Sequence, residues 1–177
     1  SNNGDVFLIG QEFDKSETRL FSKAVPSDRK YHVLAYGENG KNFKDYNVTL
    51  KDKFITDISI ALSDDELVCA GFYSEAGISS IKGTFYLTID LLSKKVNKST
   101  FKEIDENFIT ANWSDREISK AKKKESKTGK GIEAYDFDLR DFVLKEGGGA
   151  RLLAEQYYVR VVTTTTTDAN GNTTTRT

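Results

Sequence analysis

Three stretches of this chain can be laid over one another, and a repeat of this kind restricts the fold more than any other feature. They are Val6-Phe7-Leu8-Ile9-Gly10-Gln11-Glu12-Phe13, Leu67-Val68-Cys69-Ala70-Gly71-Phe72-Tyr73-Ser74 and Arg151-Leu152-Leu153-Ala154-Glu155-Gln156-Tyr157-Tyr158. Gly71 follows Gly10 by 61 residues and Glu155 follows Gly71 by 84, so the second interval carries an insertion. Repeated strand-rich units point to a modular all-β architecture in which each unit covers its neighbour's apolar face. They point to no reaction.

The middle unit is the best formed. Phe54-Ile55-Thr56-Asp57-Ile58-Ser59-Ile60-Ala61-Leu62 alternates with period two, as a half-buried strand does. Ser63-Asp64-Asp65 reads as a turn, because short polar side chains bond their own backbone there. Glu66 to Ser74 is the second strand. A loop with Gly77, Ser79 and Ser80 leads to a third at Lys82 to Asp90, rich in β-branched and aromatic residues. Leu91 to Lys95 turns the chain into a fourth strand, Val96 to Ile104. The expectation is a four-stranded antiparallel meander.

The chain before it fits the last three strands of such a unit. Val6 to Phe13 matches the second and Tyr31 to Gly37 the third; Phe43 to Leu50 closes the unit. Glu38-Asn39-Gly40-Lys41 lies between the last two, and Asn-Gly accepts the positive φ that a hairpin needs. A third copy begins with Tyr135 to Leu144, turns at Gly147-Gly148-Gly149, and continues as a long strand from Ala150 to about Thr166. Asp168-Ala169-Asn170-Gly171-Asn172 then turns into Thr173-Thr174-Thr175. The Thr-rich residues suit a solvent-exposed, projecting hairpin.

Residues 105–134 form the insertion, expected to be helical. Ser114-Asp115-Arg116-Glu117 is a capping box, in which hydroxyl and carboxylate each accept from the other residue's main-chain amide. Trp113 and Ile118 stand at the two staple positions. Few apolar residues follow, so the helix belongs on the surface, and Thr128-Gly129 stops it.

Composition narrows the function classes. A net charge of -1 gives no general pull toward nucleic acid or anionic lipid, and no apolar run reaches the length of a membrane span. A 30% share of charged residues and a mean hydropathy of -0.52 imply a thin core with much surface. The chain contains no Met and enters an apolar strand by Val6, which suits a mature protein after signal removal or a piece of a longer one.

Chemistry-bearing residues are sparse. Cys69 sits in an apolar strand and reads as a small buried hydrophobe. His32, alone of its type, lies in an alternating strand and reads as structural or solvent-facing. One Cys and one His build no zinc site, so neither a metal nor a cofactor is expected. The acids Asp57, Asp64, Asp65, Asp90, Asp136 and Asp138 would serve a glycosidase only if the fold gathered a pair of them. Asp136, Asp138 and Asp141 cluster as solvation alone would cluster them. Asp168 to Asn172 has the start of a calcium-loop pattern without the bidentate glutamate. Between Ser114 and Lys130 seven basic and three acidic residues leave a local net of +4, which reads best as a solvated helix face. It lacks the interleaved aromatics that single-stranded nucleic acid requires.

The segments Asp57-Ile58-Ser59-Ile60, Leu67-Val68-Cys69-Ala70-Gly71-Phe72-Tyr73 and Lys82-Gly83-Thr84-Phe85-Tyr86-Leu87-Thr88-Ile89-Asp90 together resemble the blade repeat of bacterial propeller proteins, in particular secreted or envelope-associated ones. The resemblance covers nearly the whole chain outside the insertion and brings no catalytic motif. It implies an all-β fold, a partial β-propeller of about two and a half four-stranded antiparallel blades with one surface helical insertion, over a single region 1–177 that is part of a larger protein. Propellers close with four to eight blades, so edge strands here would pair with missing blades or another chain. The function expected is a non-catalytic binding or scaffolding module at the bacterial cell envelope, in the periplasm or outside the cell. Its partner would be a protein or a surface glycan, met through Trp113, Lys122, Lys123, Lys124, Tyr157, Tyr158 and the Thr-rich hairpin. A carbohydrate-active propeller enzyme and a subunit of a large outer-membrane or cell-surface complex are the alternatives.

Overall fold

In the computed structural model the described residues are 5–12, 30–37, 40–63, 65–75, 80–129, 131–135, 137–156, 163–167 and 173–176. They form antiparallel sheets with two helices. The strands are β1 (Val6–Glu12), β2 (Lys30–Gly37), β3 (Asn42–Val48), β4 (Phe54–Ser63), β5 (Glu66–Ser74), β6 (Gly83–Asp90) and β7 (Val96–Glu103), followed by β8 (Phe137–Leu144), β9 (Ala150–Gln156), β10 (Thr164–Thr167) and β11 (Thr173–Arg176). The helices α1 (Glu106–Thr110) and α2 (Asp115–Thr128) separate β7 from β8. Sheet orders are β1-β2-β3, β4-β5-β6-β7, β8-β9 and β10-β11; no sheet closes on itself.

The first three sheets stack face against face. One core lies between the β1–β3 sheet and the β4–β7 sheet, joining Tyr31, Val33 and Tyr46 to Ile55, Cys69, Phe85 and Leu87. A second core lies on the other side of the middle sheet, where Phe72 and Ile81 meet Ile109, Ile132, Ala134, Phe137 and Leu139. β5 is therefore buried from Leu67 to Ser74 along both faces, which its unbroken apolar run reflects. β7, at the outer edge, is exposed throughout. Between the middle and third sheets β4 runs closest to β8, and contact thins out toward β5 and β9.

Glycine permits the closest backbone approach. Gly71 pairs with Ile58 beside a bulge at Thr56, and a Cβ on it would stand 2.0 Å from the Asp57 carbonyl oxygen. At the β8–β9 turn Gly147, Gly148 and Gly149 all have positive φ, between 82 and 96°, the conformation that favours glycine.

The meander expected over residues 54–104 is present as β4 to β7, and the three strands before it pair as β1-β2-β3. α2 starts on the expected capping box and ends at Gly129, with φ 68. α1 falls in the part of the helical insertion that precedes the capping box, and Asp105 caps it by accepting the Asn107 N–H. The strand from Ala150 is described as far as Gln156, and its expected continuation over residues 157–162 lies outside the described residues. The Thr-rich strands β10 and β11 pair with each other as a hairpin.

The register of the third sheet differs from the repeat alignment. The repeat alignment sets Ala154 on Ala70. Yet Ala154 packs back toward the middle sheet, whereas Ala70 lines the gap that faces the third. The β8–β9 hairpin is three residues shorter than its β4–β5 counterpart when their bulges are matched, at Thr56 and Arg140. An odd offset turns every side chain to the opposite face.

Candidate functional site

The helical insertion and the start of the third sheet enclose an apolar concavity. It is a groove of about 600 Å³ lined by Phe108, Trp113, Tyr135, Phe137, Asn112 and Gln156, among others. Each ring is set there by local structure. Ile109 is buried, so its helix neighbour Phe108 turns outward and is 63% exposed. The Trp113 N–H donates to the Thr110 carbonyl at 2.9 Å, which folds the α1–α2 junction and sets the indole just before the cap residue. Ala134 exchanges both main-chain bonds with Ile81, at 2.7 and 2.8 Å; strand alternation then leaves Tyr135 exposed. Phe137 lies half-buried with its ring 6.5 Å from that of Phe72.

Polar groups border these rings. The Gln156 amide donates to the Tyr135 carbonyl at 3.2 Å and so holds its own position. Glu117 accepts the Ser114 N–H at 2.8 Å and its hydroxyl at 2.7 Å, and those donors hold its carboxyl below the ordinary carboxylate value. On the other side of Trp113 and Tyr135 a hollow of about 320 Å³ continues the groove past Ala121, Lys124 and Glu125 to Glu133. Buried Glu133 accepts from the hydroxyls of Ser74 and Ser80 and, at 3.0 Å, from the Glu75 N–H. With its oxygens so occupied, it ties the loop after β5 to the segment before β8.

The expected contact residues separate in the structure. Trp113 and Lys124 both line this groove system. Lys122 and Lys123 are exposed on α2, which buries none of its residues. Tyr157 and Tyr158 lie outside the described residues. Phe108, Asn112, Tyr135 and Gln156 were not singled out from the sequence; the aromatics that flank the insertion were the available signal.

Among the described residues, the acids considered for catalysis are not gathered into one concavity. Asp57 accepts the N–H groups of Ile58 and Leu139 at 2.8 and 3.0 Å. Asp138 pairs with Arg140 at 3.0 Å. Asp65 and Asp90 lie at the turn end of the middle sheet, where Asp90 caps the Leu92 and Ser93 N–H groups at 3.2 and 2.6 Å. The Ser93 amide, together with its hydroxyl, lowers the Asp90 carboxyl from its ordinary value. Asp64 and Asp136 fall outside the described residues, as does the turn from Asp168 to Asn172. Asp141 bonds the Phe142 N–H at 2.8 Å.

His32 is partly exposed on the outer face of the first sheet. Its Nδ1 lies 3.1 Å from both Asp45 oxygens and its Nε2 3.7 Å from Glu12. Cys69 is fully buried, and burial pushes its thiol up to about 12. Among the described residues no group of acids, His and Cys has the arrangement of a metal site, and no helix is long and apolar enough to cross a membrane.

Aromatic faces beside amide and carboxylate groups suit a ligand with flat apolar faces and hydroxyl edges. The chain matches no protein-family model, no curated protein and no solved structure.

Proposed function

We propose that this chain is a non-catalytic binding module of a bacterial cell-envelope or secreted protein, built of propeller-type blades, and that it holds a surface glycan in the aromatic groove beside its helical insertion. The observation that carries the binding reading is the convergence of Phe108, Trp113, Tyr135 and Phe137 with Asn112 and Gln156 on one groove. A pyranose ring offers C–H faces for the aromatics and hydroxyls for the amides, and a volume of about 600 Å³ accommodates such a ligand. The separate engagements of the described acids favour binding over hydrolysis.

The blade reading is supported by side-chain equivalence between the first two sheets. Gly10 pairs with His32 as Gly71 pairs with Phe85. Val6, Leu8 and Leu34 on the outer face of the first sheet then correspond to Leu67, Cys69 and Leu87, all buried in the middle one. Such an outer face suits a stack that continues.

The chain's only Trp is in the groove, so its fluorescence reports occupancy. Titration with oligosaccharides of bacterial surfaces should give a saturable emission change that Tyr135→Ala abolishes. An unchanged emission across neutral, acidic and amino-sugar oligosaccharides would remove the glycan reading. A protein partner with an acidic surface is the second reading, favoured by the exposed Lys122 and Lys123 on α2. It would fit a subunit of a larger envelope complex.

A further inference from the structure

Asp57 and Asp141 occupy the same local structure in successive sheets. Each follows a one-residue bulge in the first strand of its hairpin, at Thr56 in β4 and at Arg140 in β8. Each carboxylate accepts, through Oδ1, the N–H of the residue after it, Ile58 or Phe142, at 2.8 Å in both cases. The flanking sequences agree as well: Ile55-Thr56-Asp57-Ile58 and Leu139-Arg140-Asp141-Phe142 both read apolar, bulge, Asp, apolar.

The second oxygen of Asp57 leaves its own sheet. Oδ2 accepts the main-chain N–H of Leu139 in the next sheet at 3.0 Å. Leu139 is the residue before the β8 bulge, the counterpart of Ile55 in β4. One sheet's aspartate thus binds the pre-bulge amide of the next. Asp141 is exposed, and its Oδ2 meets no donor among the described residues.

The side chains around Asp141 continue the correspondence. Phe72 pairs opposite Asp57 and is buried against the third sheet. Leu153 pairs opposite Asp141 and is 61% exposed, with Val143 exposed on the same face. Leu153 and Val143 thus leave an apolar face open beside a carboxylate whose second oxygen meets no donor among the described residues, where Phe72 and Asp57 are covered by the next sheet.

We propose that the outer face of the β8–β9 sheet docks a further antiparallel sheet, the next unit of the stack. Its first strand carries a bulge like those of β4 and β8 and gives the N–H before that bulge to Asp141. The partner is therefore a β-sheet with an apolar face and one outward main-chain donor. The contact between the middle and third sheets is its template. This inference rests on the blade reading given above.

The test compares protein purified from its natural host, under conditions that keep partners attached, with the isolated 177-residue chain. Hydroxyl-radical labelling reads the exposure of Leu153 and Val143 in each. Labelling at both positions should fall several-fold in the native protein. Asp141→Ala, which also frees the solvent-exposed Phe142 N–H, should lower the melting temperature of the native protein by more than that of the isolated chain, while Asp57→Ala lowers both alike. Asp141→Asn, which keeps an acceptor oxygen, should restore most of the loss. Equal labelling of Leu153 in both samples, with a native particle well above 19.8 kDa, would overturn the docking surface and leave the stack intact. A native particle of 19.8 kDa with nothing attached would overturn the stack reading and the docking surface together.

Discussion

Asp57 and Leu139 are joined across two sheets: the aspartate Oδ2 accepts the leucine main-chain N–H at 3.0 Å. The bond is partly buried, and among the described residues β8 pairs with β9 alone in its own sheet. This bond fixes how far apart β4 and β8 stand and along which register they slide. It does for two sheets what a ladder does within one.

Removing that carboxylate should leave two amides without an acceptor. Asp57→Ala is expected to cost about 2 kcal/mol, the usual size for a hydrogen bond to a charged group. Asp57→Asn should cost less, because one oxygen remains to accept. Urea denaturation of the three proteins checks the order; equal midpoints would mean that the staple contributes nothing.

Gly71→Ala should be among the most damaging single changes. The added Cβ meets the Asp57 carbonyl at 2.0 Å and backbone atoms of Asp57 and Ile58 at 2.9 Å, none of which is the flexible end of a side chain. Strand separation or loss of the bulge must follow, at about 3 kcal/mol. Circular dichroism and thermal melting measure it. A melting temperature within a degree of the parent's would contradict the approach distance.

The Cys69 thiol should resist modification while the protein is folded. It lies in the core between the first two sheets, and burial pushes its proton dissociation up to about 12, so almost no thiolate forms near neutral pH. A disulfide-exchange reagent at pH 8 should react with the single thiol only after denaturant is added. Rapid reaction in native buffer would place the residue outside the core.

Ser114→Ala removes the hydroxyl half of the α2 capping box, leaving the residue's own main-chain N–H to Glu117, and should cost that helix about 1 kcal/mol, read as lost helical signal at 222 nm. The same box makes the helix acid-sensitive. The Ser114 hydroxyl and N–H hold Glu117 below its ordinary value of 4.5. A lowered folded value means that the stabilisation is fully present above 4.5 and declines as pH falls through the lower folded value. Glu117→Gln should therefore flatten the acid limb of the helical signal. An identical limb in both proteins would mean that the box does not control it.

Much of the local structure was legible in the residues. Period-two alternation from Phe54 to Leu62 and the β-branched run from Lys82 to Asp90 mark strands because both signals act between residues one or two apart. The box Ser114-Asp115-Arg116-Glu117 and the triplet Gly147-Gly148-Gly149 mark a helix start and a turn for the same reason: their hydrogen bonds and φ angles are local. Trp113 could be marked as a candidate, but not the groove around it, because Phe108, Trp113 and Tyr135 are assembled by α1, by the α1–α2 junction and by a bridge from Ala134 to Ile81.

What a residue does across a sheet face was decided only by tertiary structure. Ala154 and Ala70 look interchangeable along the chain, yet a hairpin shortened by three residues turns them to opposite sides. The bond from Asp57 to Leu139 spans 82 positions, and no propensity within a strand encodes which amide will be brought to that carboxylate. The sequence by itself determined where the chain extends, turns and coils. Packing of one sheet's apolar face on another determined which side chains became core, which became groove and which were left facing outward.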